Sequence, residues 1–295
     1  MVCQQPEGRF KRPSIFYIPM ENEIELKIML LPENIPVLKQ WINAQPILEQ
    51  GKELLGNTYY DSPALFFANN KMGLRVRHQN QQYELTLKMK GEIVGGLHIR
   101  PEYNLALPDA QPDFKRLVSH FNLPFPQADL LDSQLQPTFS TDFMREKWLI
   151  TTPTAQIEIA LDQGKVKNPF GEEAICEVEF ELKQGMLADL IAFLDTLPKQ
   201  DGMWFSSLSK AQRGYLVGQP EQIAKEIDKL TACDIAQLSE KARYQLEQQL
   251  VDFWRLMQSP KLAEKLATLY PQQAMEYFTG REYFKRNLEK LNVWI

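Results

Sequence analysis

Residues 21–28 read ENEIELKI, so Glu21, Glu23, Glu25 and Lys27 alternate with apolar Ile24, Leu26 and Ile28. In an extended strand residues two apart share a face, which puts three carboxylates and one ammonium in a single row. Carboxylate oxygens gathered this way suit a hard cation, whereas the same row on an open sheet is simply a hydrated face. The arrangement becomes informative because it recurs.

Arg75 and Arg77 share a parity in LRVR, and Glu84, Thr86 and Lys88 share one in YELTLKM, opposite Leu85 and Leu87. His98, Arg100, Glu102 and Asn104 fall together before Leu105 and Leu107, and Arg145 and Lys147 alternate with Glu146 and Trp148. IEIALD sets Glu158 and Asp162 against Ile157, Ile159 and Leu161, and CEVEFELK sets Glu177, Glu179, Glu181 and Lys183 against Val178, Phe180 and Leu182. Period-two patterns of this kind predict strands, with turns expected at Gly91, Gly95-Gly96, Pro108, Asp162-Gln163-Gly164 and Asn168-Pro169.

Elements that must support these strands are also legible. Helical spacing predicts a helix within residues 33–49, limited by Pro36 and Pro46, a short one over 113–121, and an amphipathic one over 186–197 stopped by Pro198. From about Ala211 the texture turns helical, with helix starts expected at Pro260 and Pro271. The aromatics of that tail, Phe253, Trp254, Tyr270, Tyr277 and Phe278, read as packing residues. Many strands with a few covering helices indicate an antiparallel α+β domain.

The 295 residues allow one large domain or a domain with an appendage, and 44% hydrophobic with 24% charged residues is a globular composition. A net charge of −5 does not favour nucleic acid or an anionic membrane as partner, and no segment approaches the roughly 20 apolar residues of a membrane span. Cys3, Cys176 and Cys233 lack CxxC spacing and read as reduced thiols of a cytoplasmic protein. His78, His98 and His120 form no zinc pattern, so a metal would be held by carboxylates. Residues 1–19 do not read as a signal peptide; either Met20 is the natural start, or a real tail packs through Ile15, Phe16, Tyr17 and Ile18.

The apolar parity must be buried, which leaves two fates for the charged one. On an open sheet it faces water; in a closed barrel with helices outside, it lines a lumen. Closure would explain the segregation of Arg75, Arg77, Arg100, Arg145 and Lys147 from Glu177, Glu179 and Glu181, and so many luminal charges would require water and a polyvalent ligand.

ENEIELK resembles the N-terminal ExExK signature of the CYTH superfamily, the triphosphate tunnel metalloenzymes. Tyr59-Tyr60-Asp61-Ser62-Pro63, GLRVR (73–77), ELTLK (84–88) and SLSKAQRGY (207–215) resemble that family's segments in the same order. GGLHIRPEYN, STDFMREKW and QIEIALDQG are similar to bacterial inorganic triphosphatases, in which a helical CHAD domain normally follows. The resemblance implies a closed antiparallel tunnel barrel of roughly eight strands over residues 20–218. Residues 219–295 would then form a C-terminal helical module too short for a full CHAD domain, and residues 1–19 an N-terminal extension.

The implied ligand is tripolyphosphate or another short linear phosphate, with Mg²⁺ or Mn²⁺ as cofactor; oligomeric state stays open. Arginine forks and lysines suit phosphate oxygens, which makes Lys27, Arg75, Arg77, Lys88, Arg100, Arg145 and Lys147 candidate substrate contacts, with Lys210 and Arg213 closing the tunnel. Glu23, Glu25, Glu177 and Glu179 are the candidate metal ligands, Glu158 and Asp162 weaker ones, and Glu181 is expected to pair with Lys183. Glu23, Glu25 and Lys27 are the expected catalytic set, and Glu21 falls near the mouth. The expected reaction is hydrolysis of tripolyphosphate to pyrophosphate and phosphate. The alternatives are a class IV adenylyl cyclase or thiamine triphosphatase, with Tyr59, Tyr60 or Tyr103 as stacking groups, and a non-catalytic polyphosphate-binding module.

Overall fold

The structure is a computed structural model that describes residues 22–294; the expectations for the first 21 residues, Glu21 and Met20 included, lie outside it. Strand β1 (Asn22–Leu30) is followed by α1 (Ile35–Asn43), β2 (Ile47–Asp61), the single turn α2 (Phe66–Asn69), β3 (Gly73–Gln79) and β4 (Gln82–Lys88). Next come β5 (Glu92–Val94), β6 (Leu97–Leu107), α3 (Phe114–Phe121), α4 (Ala128–Ser133), β7 (Gln136–Thr151), β8 (Gln156–Asn168) and β9 (Gly171–Gln184). The chain continues through α5 (Leu187–Asp195), β10 (Met203–Phe205), α6 (Lys210–Leu216), α7 (Pro220–Ala232), α8 (Glu240–Met257), α9 (Pro260–Leu269) and α10 (Arg281–Trp294).

The strands pair antiparallel in the order β1-β9-β8-β7-β2-β3-β4-β6. β6 then returns to β1, from Asn22↔Pro101 to Leu26↔Leu97, so eight strands close a barrel. β5 and β10 extend its rim, β10 continuing the ladder along Ile28–Leu30. Closure settles the two fates of the charged parity: it lines the lumen.

The apolar parity faces outward under helices. Leu38 and Ile42 of α1 and Leu190, Ile191 and Leu194 of α5 cover Ile28, Ile159, Val178 and Phe180. Phe114 and Leu117 of α3, with Phe67 of α2, cover Leu74, Leu85 and Leu87. Each such side chain contributes about 1.5–3 kcal/mol on burial, so the two shells hold the barrel shut. Part of the interior is apolar as well: Leu55, Tyr59, Phe139, Phe143, Val166 and Ile175 receive Ala211 and Tyr215 of α6. α7, α8 and α9 share a core around Leu246, Leu250, Leu262 and Leu266, while Phe284, Leu288 and Leu291 of α10 join the barrel's outer core.

Several local readings need correction. Asp162-Gln163-Gly164 is no turn but lies inside β8, where Gly164 pairs with Phe143 and the missing side chain permits the close crossing of β7. The helix expected within 33–49 ends at Asn43, and Ile47–Glu49 opens β2 instead, because Pro46 cannot donate the next helical hydrogen bond. Pro260 does start α9, but Pro271 leads into a turn and a 3₁₀ segment, with α10 beginning at Arg281. Most of β2 carries no clear strand signal, because Gly51, Leu54-Leu55 and Gly56 interrupt its alternation.

Candidate active site

The lumen forms part of a cavity of about 1800 Å³ whose wall includes Glu23, Glu25, Lys27, Arg75, Arg77, Lys88, Arg100, Arg145, Glu179 and Lys210. These side chains come from β1, β3, β4, β6, β7, β9 and α6, so only the closed barrel assembles them.

A buried acidic cluster sits at one wall. Asp162, Glu177 and Glu179 offer carboxylate oxygens all within 4.8 Å of one another. They are held together by cations. Glu179 accepts from Lys27 Nζ at 2.8 Å, Lys210 Nζ at 2.9 Å and Arg145 Nη2 at 2.8 Å. Arg145 also forks onto Asp162, with Nε and Nη2 at 2.7 and 2.6 Å. Glu177 takes Lys27 at 3.1 Å, Arg213 Nη1 at 2.9 Å and Lys210. Burial pushes the Glu177 and Glu179 carboxyls up, but Lys210 and Lys27 outweigh it and hold both below the ordinary range.

A second group lies on β1, β4 and β6. Lys88 bonds Glu23 at 2.6 Å and approaches Glu102 at 2.7 Å, and Arg100 Nη2 reaches Glu25 at 3.2 Å. Burial, reinforced by the Glu25 charge, pushes the Glu23 carboxyl up to about 7 despite Lys88. Burial also pushes Glu25 up, yet Lys88, Lys27 and Arg100 together bring it down to about 2.

The third group is purely cationic. Arg75 is 8% exposed and its Nε has no hydrogen-bond partner. Arg77 donates from Nε to Asn57 Oδ1 at 3.0 Å. Burial, with Arg75 and Arg145 nearby, lowers the Arg77 guanidinium to about 10. Among the described residues neither arginine has a carboxylate within ion-pair distance, although both face the cavity.

Most of the expected site residues are therefore brought together. Four stand apart from the cavity wall: Asp162, Glu177 and Arg213 lie behind it, the last two bonded to each other, and Lys147 pairs with Glu53 at 2.9 Å with its side chain 41% exposed. Glu181 pairs with Lys183 at 2.7 Å as expected. Tyr59 lines the cavity, but Tyr60 and Tyr103 pack against the outer core and offer no luminal stacking surface. Two acids matter more than their local sequence suggests: Asp162, whose neighbours mimic a turn, and Glu102, whose parity with Arg100 is a usable signal.

His98 is fully buried beside this site, its Nε2 3.1 Å from the Ser206 carbonyl and its Nδ1 without a partner. Burial, with Arg100 and Lys27 outweighing Glu25, pushes its imidazole down from 6.5 to about 3. Because the folded value is depressed, the unfolded chain takes up the proton first, and stability present above pH 6.5 is lost as pH falls towards 3. Urea unfolding at pH 7 and 5 should therefore show wild type losing about 2 kcal/mol more than His98→Gln. Equal losses would remove His98 as a source of acid sensitivity.

The family model for the CYTH domain matches residues 21–215, which spans every strand of the barrel. The chain belongs to the CYTH family. An inorganic triphosphatase of Haemophilus influenzae is 46% identical over 210 residues, covering 71% of this chain and 59% of that protein. The chain thus matches about three-fifths of the length of that curated relative. Among solved structures, a Hippeastrum protein described as a candidate adenylyl cyclase with dominant triphosphatase activity is 19% identical. It covers 65% of this chain and 94% of its own, with a TM-score of 0.48. A candidate adenylate cyclase of Bacillus halodurans is 20% identical, covering 60% and 91%, with a TM-score of 0.40. In this CYTH domain the match ends at Tyr215, so α6 with Lys210 and Arg213 falls inside it and α7–α10 fall outside.

Proposed function

We propose that this protein hydrolyses inorganic tripolyphosphate to pyrophosphate and phosphate inside the barrel, with Mg²⁺ or Mn²⁺. The observation that carries the reading is the pair of guanidiniums, buried Arg75 and half-buried Arg77, facing a cavity with no carboxylate in ion-pair distance of either among the described residues. Two such charges side by side are mutually repulsive and call for an anion. The Haemophilus relative, an inorganic triphosphatase, supports the choice of anion.

The donor set suits a hard divalent ion: Glu23, Glu25 and Glu179 present only carboxylate oxygens to a cavity with room for metal-bound water. Glu23 is held near 7 by burial and the Glu25 charge despite Lys88, so a bound divalent ion would favour its charged form. Glu177 and Asp162 serve instead as anchors for Lys27, Lys210, Arg145 and Arg213. A bound Mg²⁺ or Mn²⁺ supplies charge neutralisation at the phosphoryl oxygens.

The chain's own residues do the rest. Arg75, Arg77, Lys88 and Arg100 grip the phosphate oxygens, and Lys27, Lys210 and Arg145 face the charge that develops on the bridging oxygen. A water oxygen bonds to the terminal phosphorus, the bridging P–O bond breaks with its electron pair going to the departing pyrophosphate, and the water's proton passes to the phosphate products or to solvent. Fixed charges aimed at that transition state carry the acceleration, since phosphoryl transfer asks for positioning and electrostatic stabilisation. Residues 20–218 carry this chemistry and residues 219–295 form a helical module beside it, in a reducing, cytoplasmic setting that the separated cysteines fit. Among the described residues no helix is long and apolar enough to cross a membrane.

Phosphate release from tripolyphosphate, with and without Mg²⁺ or Mn²⁺, tests the reading in wild type beside Glu25→Gln and Arg77→Ala. Metal-dependent release lost in both variants is expected. Release of cyclic AMP and pyrophosphate from ATP, or tight polyphosphate binding without turnover, would replace it with a cyclase or a binding module.

A further inference from the structure

Ser206 and Ser207 lie where the barrel, the lumen helix α6 and the helical tail meet. The Ser206 amide donates to the Lys27 carbonyl at 3.3 Å, and the Ser206 carbonyl faces His98 Nε2. The Ser207 amide and hydroxyl both donate to one oxygen of Asp252 on α8, at 2.7 and 2.6 Å. Asp252 is 3% exposed, and among the described residues no cation stands within ion-pair distance of it. Burying such a carboxylate is costly, so its two strong hydrogen bonds must hold it in place. Three residues on, Arg255 lies 4.0 Å over the Trp204 ring, so one face of α8 grips residues 204–207.

Between Ser207 and the lumen the chain is short. Ser209 caps α6 and Lys210 is the first residue of that seven-residue helix, which enters the lumen to meet Asp162, Glu177 and Glu179. A helix this brief has little rigidity of its own, and one residue of slip turns a side chain by about 100°. Its entry angle is set by the segment before it.

We propose that Asp252 is a positioning residue: from the helical tail it holds Ser207, and through Ser207 it fixes how α6 delivers Lys210 and Arg213 to the luminal carboxylates. The tail outside the CYTH match thereby belongs to the frame of the site. The kinetic consequence rests on the triphosphatase reading; the structural link does not.

The test compares Asp252→Ala, Ser207→Ala and Asp252→Asn with wild type by steady-state kinetics on tripolyphosphate with Mg²⁺, thermal melting, and hydrogen exchange of residues 206–213. In Asp252→Ala and Ser207→Ala, kcat should fall roughly tenfold to a hundredfold, the cost of a misplacement near 1 Å, with faster exchange over 206–213. Asp252→Asn keeps the acceptor oxygen and should stay within about threefold. Made in a Lys210→Ala background, Asp252→Ala should add much less than it does in wild type, because of the two groups to be positioned only Arg213, behind the cavity wall, remains. A lowered melting temperature with kcat of the folded enzyme kept, or a fully additive loss in the Lys210→Ala background, would overturn the proposal. If Asp252→Ala does not fold, Ser207→Ala decides, since it retains the amide bond. If wild type hydrolyses nothing, the triphosphatase reading fails; faster exchange in folded Asp252→Ala then still supports the link, and unchanged exchange refutes it.

Discussion

Glu179→Gln should cost both stability and activity, because this one carboxylate joins Lys27, Lys210 and Arg145. Its charge is what offsets the desolvation of three buried cations. The amide that replaces it keeps one acceptor oxygen but supplies no net charge, leaving Lys27 and Lys210 to face each other across Glu177. Breaking a buried pair by removing one partner costs about 3–5 kcal/mol, and Arg145 keeps Asp162, which places the loss toward the lower end. The three displaced cations are also the ones proposed to face the bridging oxygen, and on that reading kcat should fall by roughly 10²–10³, the scale of losing a preorganised electrostatic group. Urea unfolding and steady-state kinetics on one preparation check both numbers. A stable variant with near wild-type kcat would mean that the cluster is an inert structural knot.

Arg75→Ala should leave stability nearly unchanged. Arg75 neutralises no carboxylate within ion-pair distance, and its charge helps depress neighbouring Arg77. Removing it breaks no close ion pair and relieves the repulsion with Arg77, but it also withdraws a charge that helps hold Glu102 below the ordinary carboxylate range, so the unfolding midpoint should shift little. Activity should nevertheless collapse, with kcat/KM for tripolyphosphate down roughly 10²–10³, since a guanidinium supplies forked donors that water cannot replace in a buried site. Arg75→Lys restores the charge without the fork and should recover only part of the loss. Added phosphate or sulfate should protect wild type more than Arg75→Ala, since the wild-type pair has no carboxylate in ion-pair distance and offers two guanidiniums to the anion. A parallel loss of stability and activity in Arg75→Ala would make this arginine a structural group. The contrast between Glu179 and Arg75 separates charges that hold the barrel together from charges held in readiness for an anion.

Much of this protein was determined by local sequence. The alternation in ENEIELK, YELTLKM, IEIALD and CEVEFELK assigned strands and faces, because side chains two apart must share one side of a strand. It therefore also identified which acids and bases share a surface, and the outward burial of Ile28, Leu85, Ile159 and Phe180 obeys the same parity. Where alternation broke, as in β2, or where a glycine served a strand crossing rather than a turn, as at Gly164, the local signal failed.

Only the tertiary structure decided that the sheet closes, because closure depends on β6 returning to β1 across 66 residues (96 minus 30) of intervening chain. It also decided which charges cancel. Lys27 and Glu179 are 152 residues apart in sequence, and Ser207 and Asp252 are 45 apart. Sequence spacing within a strand carries no information on such pairs, since they are set by barrel register and by the packing of helices against it. Closing the barrel left Arg75 and Arg77 facing the cavity with no carboxylate in ion-pair distance among the described residues, while burying Asp162 and Glu177 among lysines and arginines.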